Sequence, residues 1–256
     1  MLTRFGATQV ALPLLVLLAL AGCAEAPETP KTAVSSGATS STAPTSATDA
    51  DESDLAAALA EADTAKPYSA QMDIRSTSGI RLGLVISGRV NVNGPSGTRM
   101  TGRLIVRTPS PDGKPPIAVE EILTSGAYFV RVQKNGSKPA GPWRRKVADS
   151  TIVFPDLADY ARLLLIPGPS ALKGQEEEGG VMATRLSGQV LTEQIRTIEP
   201  GLYGKLRAAN VDGFACDMWI DPAGRVVRLE QWVRDLHSVV TMSKFRGPVT
   251  VKPPIG

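Results

Sequence analysis

The chain has 256 residues, of which 42% are hydrophobic and 21% are charged, and its formal net charge at pH 7 is +3. This length is enough for one domain with a substantial core. With two cysteines and one histidine, it offers neither a disulfide framework nor a paired-histidine metal site.

Residues 1–22 have the pattern of a signal peptide for export. Arg4 gives a short basic start, and the uncharged apolar run VALPLLVLLALAG that ends at Gly22 is thirteen residues long. A membrane span needs about 20 apolar residues, so this run is too short to be one. We therefore predict that residues 1–22 direct the chain out of the cytoplasm.

Cys23 follows the signal directly and is predicted to carry a lipid. The sequence Leu20-Ala21-Gly22-Cys23 resembles the bacterial lipobox, in which the cysteine thiol is diacylated and the chain is cut just before it. The chemistry needs a thiol nucleophile and small neighbours that fit a peptidase groove. The alternative is a plain secretory signal with an incidental cysteine. Lipidation would anchor the protein to the cell membrane, on its extracytoplasmic face.

An alkylated Cys23 could not form a disulfide with the second cysteine, Cys216. A free thiol in an oxidising compartment is safest when buried as a small hydrophobic side chain. A reactive thiol needs a basic or positively charged neighbour, whereas Asp217 adjoins Cys216. We expect Cys216 to be buried and structural.

A tether is predicted between the anchor and the domain. Residues 24–54 are dominated by Ala, Ser, Thr, Pro and acidic residues and contain no aromatic residue. Such a composition cannot bury enough apolar surface to offset the entropy of ordering. We therefore expect residues 23–52 to comprise the lipidated cysteine and a disordered tether that reaches roughly 30 Å, and residues 53–256 to form one domain.

The domain is moderately basic, since residues 55–256 carry 26 basic and 19 acidic side chains. A basic domain held near a membrane is attracted to anionic headgroups. Charges spread along strands are also typical of an ordinary solvated surface, and this alternative stays open. No nucleic-acid partner is expected outside the membrane.

The first half of the domain predicts an antiparallel sheet after a short helix that begins at Ser53 or Asp54. Apolar and polar residues alternate with period two, which indicates strands with one apolar and one wet face. Turns rich in glycine and proline separate the strands. The predicted strands are YSAQMDIRS, IRLGLVISGRVNV, MTGRLIVR, PIAVEEILT and AYFVRVQ.

The second half predicts a mixture of helices and strands. A helix begins near Pro155 and carries an apolar stripe that includes Leu163 and Leu164. An acidic loop at 175–178 and the strand VMATRLSGQ precede a second helix, QVLTEQIRTI, which Pro200 would stop. Three strands complete an α+β fold: FACDMWID, RVVRLEQWVRD and SVVTMSKFRG.

We find no catalytic or metal-binding pattern, and no cofactor is expected. His237 is the single histidine; Asp235 could orient it, but no GxSxG motif supplies a nucleophile. The three carboxylates of QEEEGG are typical of a solvated loop. Glu120 and Glu121 should point to opposite sides of a strand and cannot act as a pair. Hydrolase activity is therefore a distant alternative.

The C-terminal SVVTMSKFRGPVTVKPPIG resembles the ending of the LppX/LprA/LprF/LprG envelope lipoproteins of actinobacteria. The N-terminal helix, FPDLADYARLLL and LSGQVLTEQI occur in the same order as in that family, so the resemblance spans roughly residues 53–256. It implies a LolA/LolB-like half-barrel: a strongly curved antiparallel sheet with short helices across its concave face.

The resemblance also implies an apolar cavity that holds acyl chains of lipids or glycolipids and moves them across the envelope. The family has no signature for this cavity, so only residues on the apolar strand face and covering helix carry over: Leu82, Leu84, Ile86, Met100, Leu104, Val106, Leu163 and Leu164. A polar head would lie near Arg81, Arg103 or Arg107. The long, proline-rich segments TPSPDGKPP and QKNGSKPAGPWRRK depart from the family and put the ligand's identity in doubt.

Partners follow from the same resemblance. We expect a monomer whose partners are a lipid ligand, the membrane reached through Cys23, and as a further candidate a membrane transporter. Periodicity cannot distinguish a hollow cavity from a filled core. The alternative function is therefore a tethered envelope interaction or sensor protein with a filled core and no lipid cargo.

Overall fold

The computed structural model describes most of the predicted domain, and the expectations for residues 1–22 and 23–52, including Cys23, lie outside the described residues. The described positions are 53, 55–56, 67–79, 81–92, 100–109, 117–124, 127–134, 138–139, 141–146 and 157–254. Of the predicted N-terminal helix, Ser53, Leu55 and Ala56 are helical. Leu55 belongs to the hydrophobic core and is 4% exposed.

Seven strands form the first half of the domain and confirm the five strands that alternation predicts there. Hydrophobic positions two residues apart face the core, because successive side chains of a strand point to opposite faces. The strands are β1 Tyr68–Ser78, β2 Arg81–Val92, β3 Thr101–Thr108, β4 Ile117–Leu123, β5 Tyr128–Lys134, β6 Lys138–Pro139 and β7 Arg144–Lys146.

Two helices and five strands form the second half. Helix α1 spans Leu157–Leu165, as the apolar stripe predicts, and helix α2 spans Pro200–Ala208. Short 3-10 turns cover Pro169–Ala171 and Thr192–Ile195. The strands are β8 Leu172–Glu178, β9 Val181–Leu191, β10 Gly213–Ile220, β11 Val226–Val233 and β12 Leu236–Arg246.

All twelve described strands belong to one antiparallel sheet, in the order β6-β5-β4-β3-β2-β1-β12-β11-β10-β9-β8, with β7 beside β5. Two meanders are thus joined by the pairing of β1 with β12, and the described edge strands do not pair with each other. A flat sheet of eleven strands would be about 50 Å wide, whereas each helix is about 14 Å long. A sheet this wide curls, and its apolar face becomes the inside of a half-barrel. The expected fold class is confirmed.

Two local predictions for the segment after Gly188 are wrong. The segment QVLTEQIRTI is not a helix: β9 continues to Leu191 because Val190 pairs with Phe214 and is fully buried. Pro200 begins helix α2 and does not stop one, since proline fits the first turn of a helix, where its missing N–H is not needed.

The acidic segment 175–178 is also not a loop. It forms most of the edge strand β8. Glu176 accepts a hydrogen bond from the Trp219 indole, and Glu178 forms an ion pair of 3.2 Å with Arg228. Two of the three carboxylates are therefore partnered by neighbouring strands.

Candidate functional site

A continuous belt of apolar side chains crosses the inner face of the sheet, with one residue from each of ten adjacent strands. Each member is paired in register with the next, so the side chains stand side by side along the inner surface. The belt comprises Val132, Val119, Val106, Ile86, Ile74, Val240, Leu229, Met218, Leu186 and Leu172.

Burial of the belt changes along its length. Ile86, Ile74 and Leu229 at its centre are fully buried, whereas Val119 is half-buried and Val132 is 47% exposed. The belt is therefore covered over the middle of the sheet and open towards β5. Contiguous exposed apolar surface marks binding sites, and here the exposed part of the belt is Val132 with half-buried Val119 beside it.

The predicted cavity residues lie mostly on this inner face. Of these residues, five are buried, namely Leu84, Ile86, Leu104, Val106 and Leu164. Met100 and Leu163 are half-buried and pack against the same core. Leu82 differs from the others, because it is 46% exposed near the start of β2.

Helix α1 covers the β9 side of the inner face. Tyr160, Ala161 and Leu164 are buried on its inner stripe. A Cβ on Gly188 of β9 would lie 3.3 Å from the Leu164 side chain, so the glycine allows the helix to sit close to the strand. The ring of Tyr160 lies 6.5 Å from that of Phe214. The cover therefore rests on a few apolar contacts.

A row of small and polar residues lies beside the belt on four neighbouring strands. Ser76 pairs with Ser238, Ser238 with Gln231, and Gln231 with Cys216. All four are at least 93% buried. We call these residues the polar row.

A buried carboxyl group and a phenol lie within the same core. The Tyr160 hydroxyl donates a hydrogen bond of 2.6 Å to Glu199 Oε2, and Glu199 is 3% exposed. Burial raises the pKa of Glu199 to about 8, against the opposing effects of the Tyr160 hydrogen bond and the Lys205 charge. At neutral pH this carboxyl group is therefore mostly protonated.

Glu121 is a second buried carboxyl group on the inner face. It lies between Leu104 of β3 and Val130 of β5, and burial raises its pKa to about 7 although a Tyr128 hydrogen bond favours the charged form. Glu120 lies on the outer face and pairs with Arg131 at 2.5 Å. The prediction that Glu120 and Glu121 point to opposite sides is confirmed.

These two carboxyl groups predict an unusual pH dependence of stability. Each keeps its proton in the folded protein to a higher pH than the ordinary value of 4.5. Folding therefore binds protons, and the free energy of unfolding should fall as pH rises from about 5 to 8. In Glu121→Gln, the free energy of unfolding should fall less steeply below pH 7. In Glu199→Gln, it should fall less steeply over the range up to pH 8. Thermal unfolding at a series of pH values measures both effects.

The control for this series is Glu177→Gln, which changes an exposed carboxyl group on β8 and should leave the slope as it is. An unchanged slope in both Glu121→Gln and Glu199→Gln would contradict the assignment.

Exposed apolar side chains gather at one end of the sheet. This end, which we call the upper end, contains Gly79 between β1 and β2 and the Arg234–Asp235 turn, and the Gly79 N–H donates to the Asp235 carbonyl at 3.0 Å. Of six exposed large hydrophobic residues among those described, four lie at or near this end: Leu82, Ile117, Val132 and Leu191.

Arginines border the same end but do not all match the prediction. Arg81 is exposed at the start of β2, and Arg234 is exposed at the turn. Arg103 and Arg107 alternate with the inward Leu104 and Val106 and therefore face outward. Arg103 is held 2.7 Å from Glu120 on the outer face, so it is unsuited to hold a polar head at an opening of the inner face.

The remaining candidates have structural roles. Cys216 is free and fully buried, as predicted. Burial is the main cause that raises the pKa of its thiol, and the charge of the neighbouring Asp217 raises it further. The imidazole of His237 stacks on Trp232 and lies 3.1 Å from Glu230. Asp235 instead accepts a hydrogen bond from Ser78.

The described residues offer neither a metal site nor a membrane-spanning helix. These residues contain no group of three or more His, Cys, Asp or Glu side chains placed to hold a metal ion. Within the same part of the chain, the helices are too short or too polar to cross a membrane.

No protein-family model and no curated protein matches the chain. Its structure is similar to the crystal structure of LprF from Mycobacterium bovis, with 17% identity, a TM-score of 0.48, and coverage of 80% of this chain and 99% of that one. It is also similar to lipoprotein LppX from Mycobacterium tuberculosis, with 15% identity, a TM-score of 0.45, and coverage of 79% and 100%.

A LolA superfamily protein from Nitrosomonas europaea matches with 11% identity, a TM-score of 0.25, and coverage of 77% of this chain and 94% of that one. LprF and LppX belong to the group of lipoproteins that the C-terminal sequence resembles.

The polar row and the Tyr160–Glu199 pair were not predicted from the sequence. A signal was present in the strand LEQWV, where Gln231 occupies the inward register between Leu229 and Val233. A single polar residue among alternating apolar residues does not by itself predict a site. It becomes informative when register places Ser238 and Ser76 beside it.

Proposed function

We propose that the protein is a membrane-anchored lipoprotein that binds the acyl chains of a lipid or glycolipid inside its half-barrel. It carries or presents this lipid across the cell envelope. The observation that carries the proposal is the apolar belt, which spans ten strands and remains open towards β5.

The order of chemistry along the inner face supports this proposal. Exposed aliphatic residues and arginines lie at the upper end, and the pair Val233 and Leu236 lies next to them. The polar row follows, and the belt lies furthest from the upper end. A lipid has the same order, from headgroup through a polar linkage to apolar chains. The upper end therefore suits the headgroup, and two arginines of the predicted set, Arg81 and Arg107, lie at this end of the sheet.

Binding would be driven by burial alone. Each CH₂ group that leaves water for an apolar site contributes about 0.8 kcal/mol. The chains would lie between the belt and helix α1, and α1 would move away from β9 to admit them. This movement would separate Leu164 from Gly188, where the helix sits close to the strand. No bond is made or broken in this mechanism.

The predicted anchor gives the binding domain its location. A lipid on Cys23 and a tether of roughly 30 Å would keep the upper end within reach of the membrane surface. Exposed Leu82 and Ile117 could contact the apolar part of that surface, and Arg81 its anionic groups.

Purified protein is expected to carry lipid taken from its host membrane. Native mass spectrometry of residues 53–256 should show a species heavier than the chain by the mass of one lipid, and organic extraction should release that lipid. Protein stripped of lipid should then bind a fluorescent acyl probe. Folded protein that arrives empty and also fails to bind acyl probes would overturn the proposal.

A further inference from the structure

The inner face holds several buried polar atoms that have no hydrogen-bond partner among the described residues. Four belong to residues in or near the polar row, and each residue is at least 93% buried: Ser76 Oγ, Ser238 Oγ, Gln231 Nε2 and Glu199 Oε1. The Gln231 amide and Glu199 both lie beside the Tyr160 hydroxyl, so a ligand oxygen bound by Gln231 would take the place of Tyr160. A buried polar group that lacks a partner costs about 1–3 kcal/mol. Several such groups in one core therefore point to a partner that is not among the described residues.

The position of these atoms follows from strand register. Ser76, Ser238 and Gln231 are directly paired on β1, β12 and β11, and neighbouring strands lie about 4.8 Å apart. Their side chains share the inner face with the buried Ile74, Val240 and Leu229 of the belt. The polar atoms thus form one compact patch at the edge of an apolar surface.

Ser76, Ser238 and Gln231 offer hydrogen-bond donors and carry no charge, while Glu199 lies near the charge of Lys205. Serine hydroxyls and the Gln231 amide donate. Glu199 Oε2 accepts from Tyr160, and the raised pKa of Glu199 leaves a proton on this carboxyl group at neutral pH, so Oε1 can donate as well. The complementary ligand group is an uncharged oxygen, either an ester carbonyl or a hydroxyl.

The patch lies further from the upper end of the sheet than a headgroup site would. One inward-facing pair, Val233 and Leu236, lies between the polar row and the upper end, and the belt begins on the other side. This is where the linkage between a headgroup and its acyl chains would lie if the chains occupied the belt.

We propose that Ser76, Ser238 and Gln231 form a binding site for the uncharged ester or hydroxyl oxygens of a lipid, at the junction between its headgroup and its chains. This inference rests on the proposed lipid-binding function, and it names the chemical class of cargo: an acyl ester or a hydroxylated lipid is preferred to a hydrocarbon of the same length.

The test compares two probes that differ in the ester group. Methyl hexadecanoate and octadecane are competed against a fluorescent acyl probe on the purified full chain of the wild type and of the double variant Gln231→Leu/Ser238→Val. Two lost hydrogen bonds should lower the preference for the ester over the hydrocarbon about tenfold. Thr241→Val, on the outward-facing register of β12, is the matched control and should leave the preference unchanged.

A second readout reports the contact directly. The infrared carbonyl stretch of ¹³C-labelled methyl hexadecanoate should move to lower frequency on binding the wild type and return towards its value in hydrocarbon in the double variant. If the double variant does not fold, Ser76→Ala provides the same comparison with an expected loss of about threefold.

The outcomes distinguish this inference from the proposed function. Equal preference in wild type and variant, with both probes bound, would mean that the polar row holds water or serves packing, and would overturn the inference alone. Failure of folded wild type to bind either probe would overturn the proposed function and the inference together.

Discussion

Replacing Leu104 by tryptophan is expected to abolish lipid loading while the domain stays folded. Leu104 is 1% exposed on the inner face of β3, directly opposite Gly88 of β2 and Glu121 of β4. It adjoins Val106 of the belt on the same strand face. An indole at this position would occupy space that an acyl chain needs.

The same substitution separates a lipid-binding core from a filled one. In a filled core the larger side chain has no space, and overpacking should lower the free energy of unfolding by about 1–3 kcal/mol. Strands β2 and β3 approach each other closely at Gly88. A Cβ on this glycine would lie 2.8 Å from the Leu104 side chain and 2.1 Å from the Arg103 carbonyl oxygen. Strand β2 therefore has no space in which to move towards β3. Relief must come from the volume that faces the belt.

The measurement combines native mass spectrometry with thermal unfolding of lipid-free protein. Ile105→Trp is the matched control: it introduces the same side chain on the same strand but on the opposite, half-buried outer face. It should leave loading unchanged. A Leu104→Trp protein that still carries its full complement of lipid would contradict the proposed place of the chains, and one that unfolds would favour the tethered interaction protein with a filled core.

The strands of the first half could be predicted because their signal is local. Each is half-buried, so hydrophobic and polar residues alternate within a single segment, as in Met72, Asp73 and Ile74. Pairing along the meander then follows from the short turns between strands. Opposite orientations of Glu120 and Glu121 follow from the same period of two.

Features that depend on distant parts of the chain could not be predicted in this way. The pairing of β1 with β12 joins Ile74 to Val240, and no local pattern encodes that contact. The segment after Gly188 has helix-like spacing, yet Phe214 on β10 keeps Val190 in a strand. Tertiary contacts outweighed local preference there.

The polar row could not be predicted from the sequence for the same reason, because it depends on the pairing of distant strands. Each member is unremarkable in its own segment, and serine in a strand usually faces water. Their common face becomes visible when the register of β1, β12 and β11 is known. The predicted cavity residues, by contrast, came from the family resemblance together with the apolar faces of strands and helix. Alternation cannot tell that Leu82 is left exposed near a strand start.

Replacing Cys23 by alanine is expected to remove the membrane anchor. The wild-type chain should begin at Cys23 and carry the additional mass of a diacylated thiol. The variant has no thiol at this position to accept a lipid. Mass spectrometry of the N-terminal peptide should therefore show acyl mass in the wild type and none in Cys23→Ala.

A substitution of the second cysteine, Cys216, is the control for Cys23→Ala, because it tests whether loss of any cysteine removes the lipid. Cys216 is free and fully buried, and its raised thiol pKa makes it a poor nucleophile. Cys216→Ala should therefore keep the lipidated N-terminus, and its effect should be confined to a small loss of stability from the missing sulfur atom. This control changes the same type of residue without touching the predicted anchor.

Protease treatment of membranes tests the tether independently. Cleavage within residues 24–52 should release the folded domain from wild-type membranes, with its lipid cargo still bound, because the belt and its cover lie wholly within residues 55–254. A wild-type chain that has no acyl mass and is recovered entirely in the soluble fraction would contradict the lipobox prediction. Lipid binding by the released domain would be unaffected by that result, since anchor and cargo site depend on different residues.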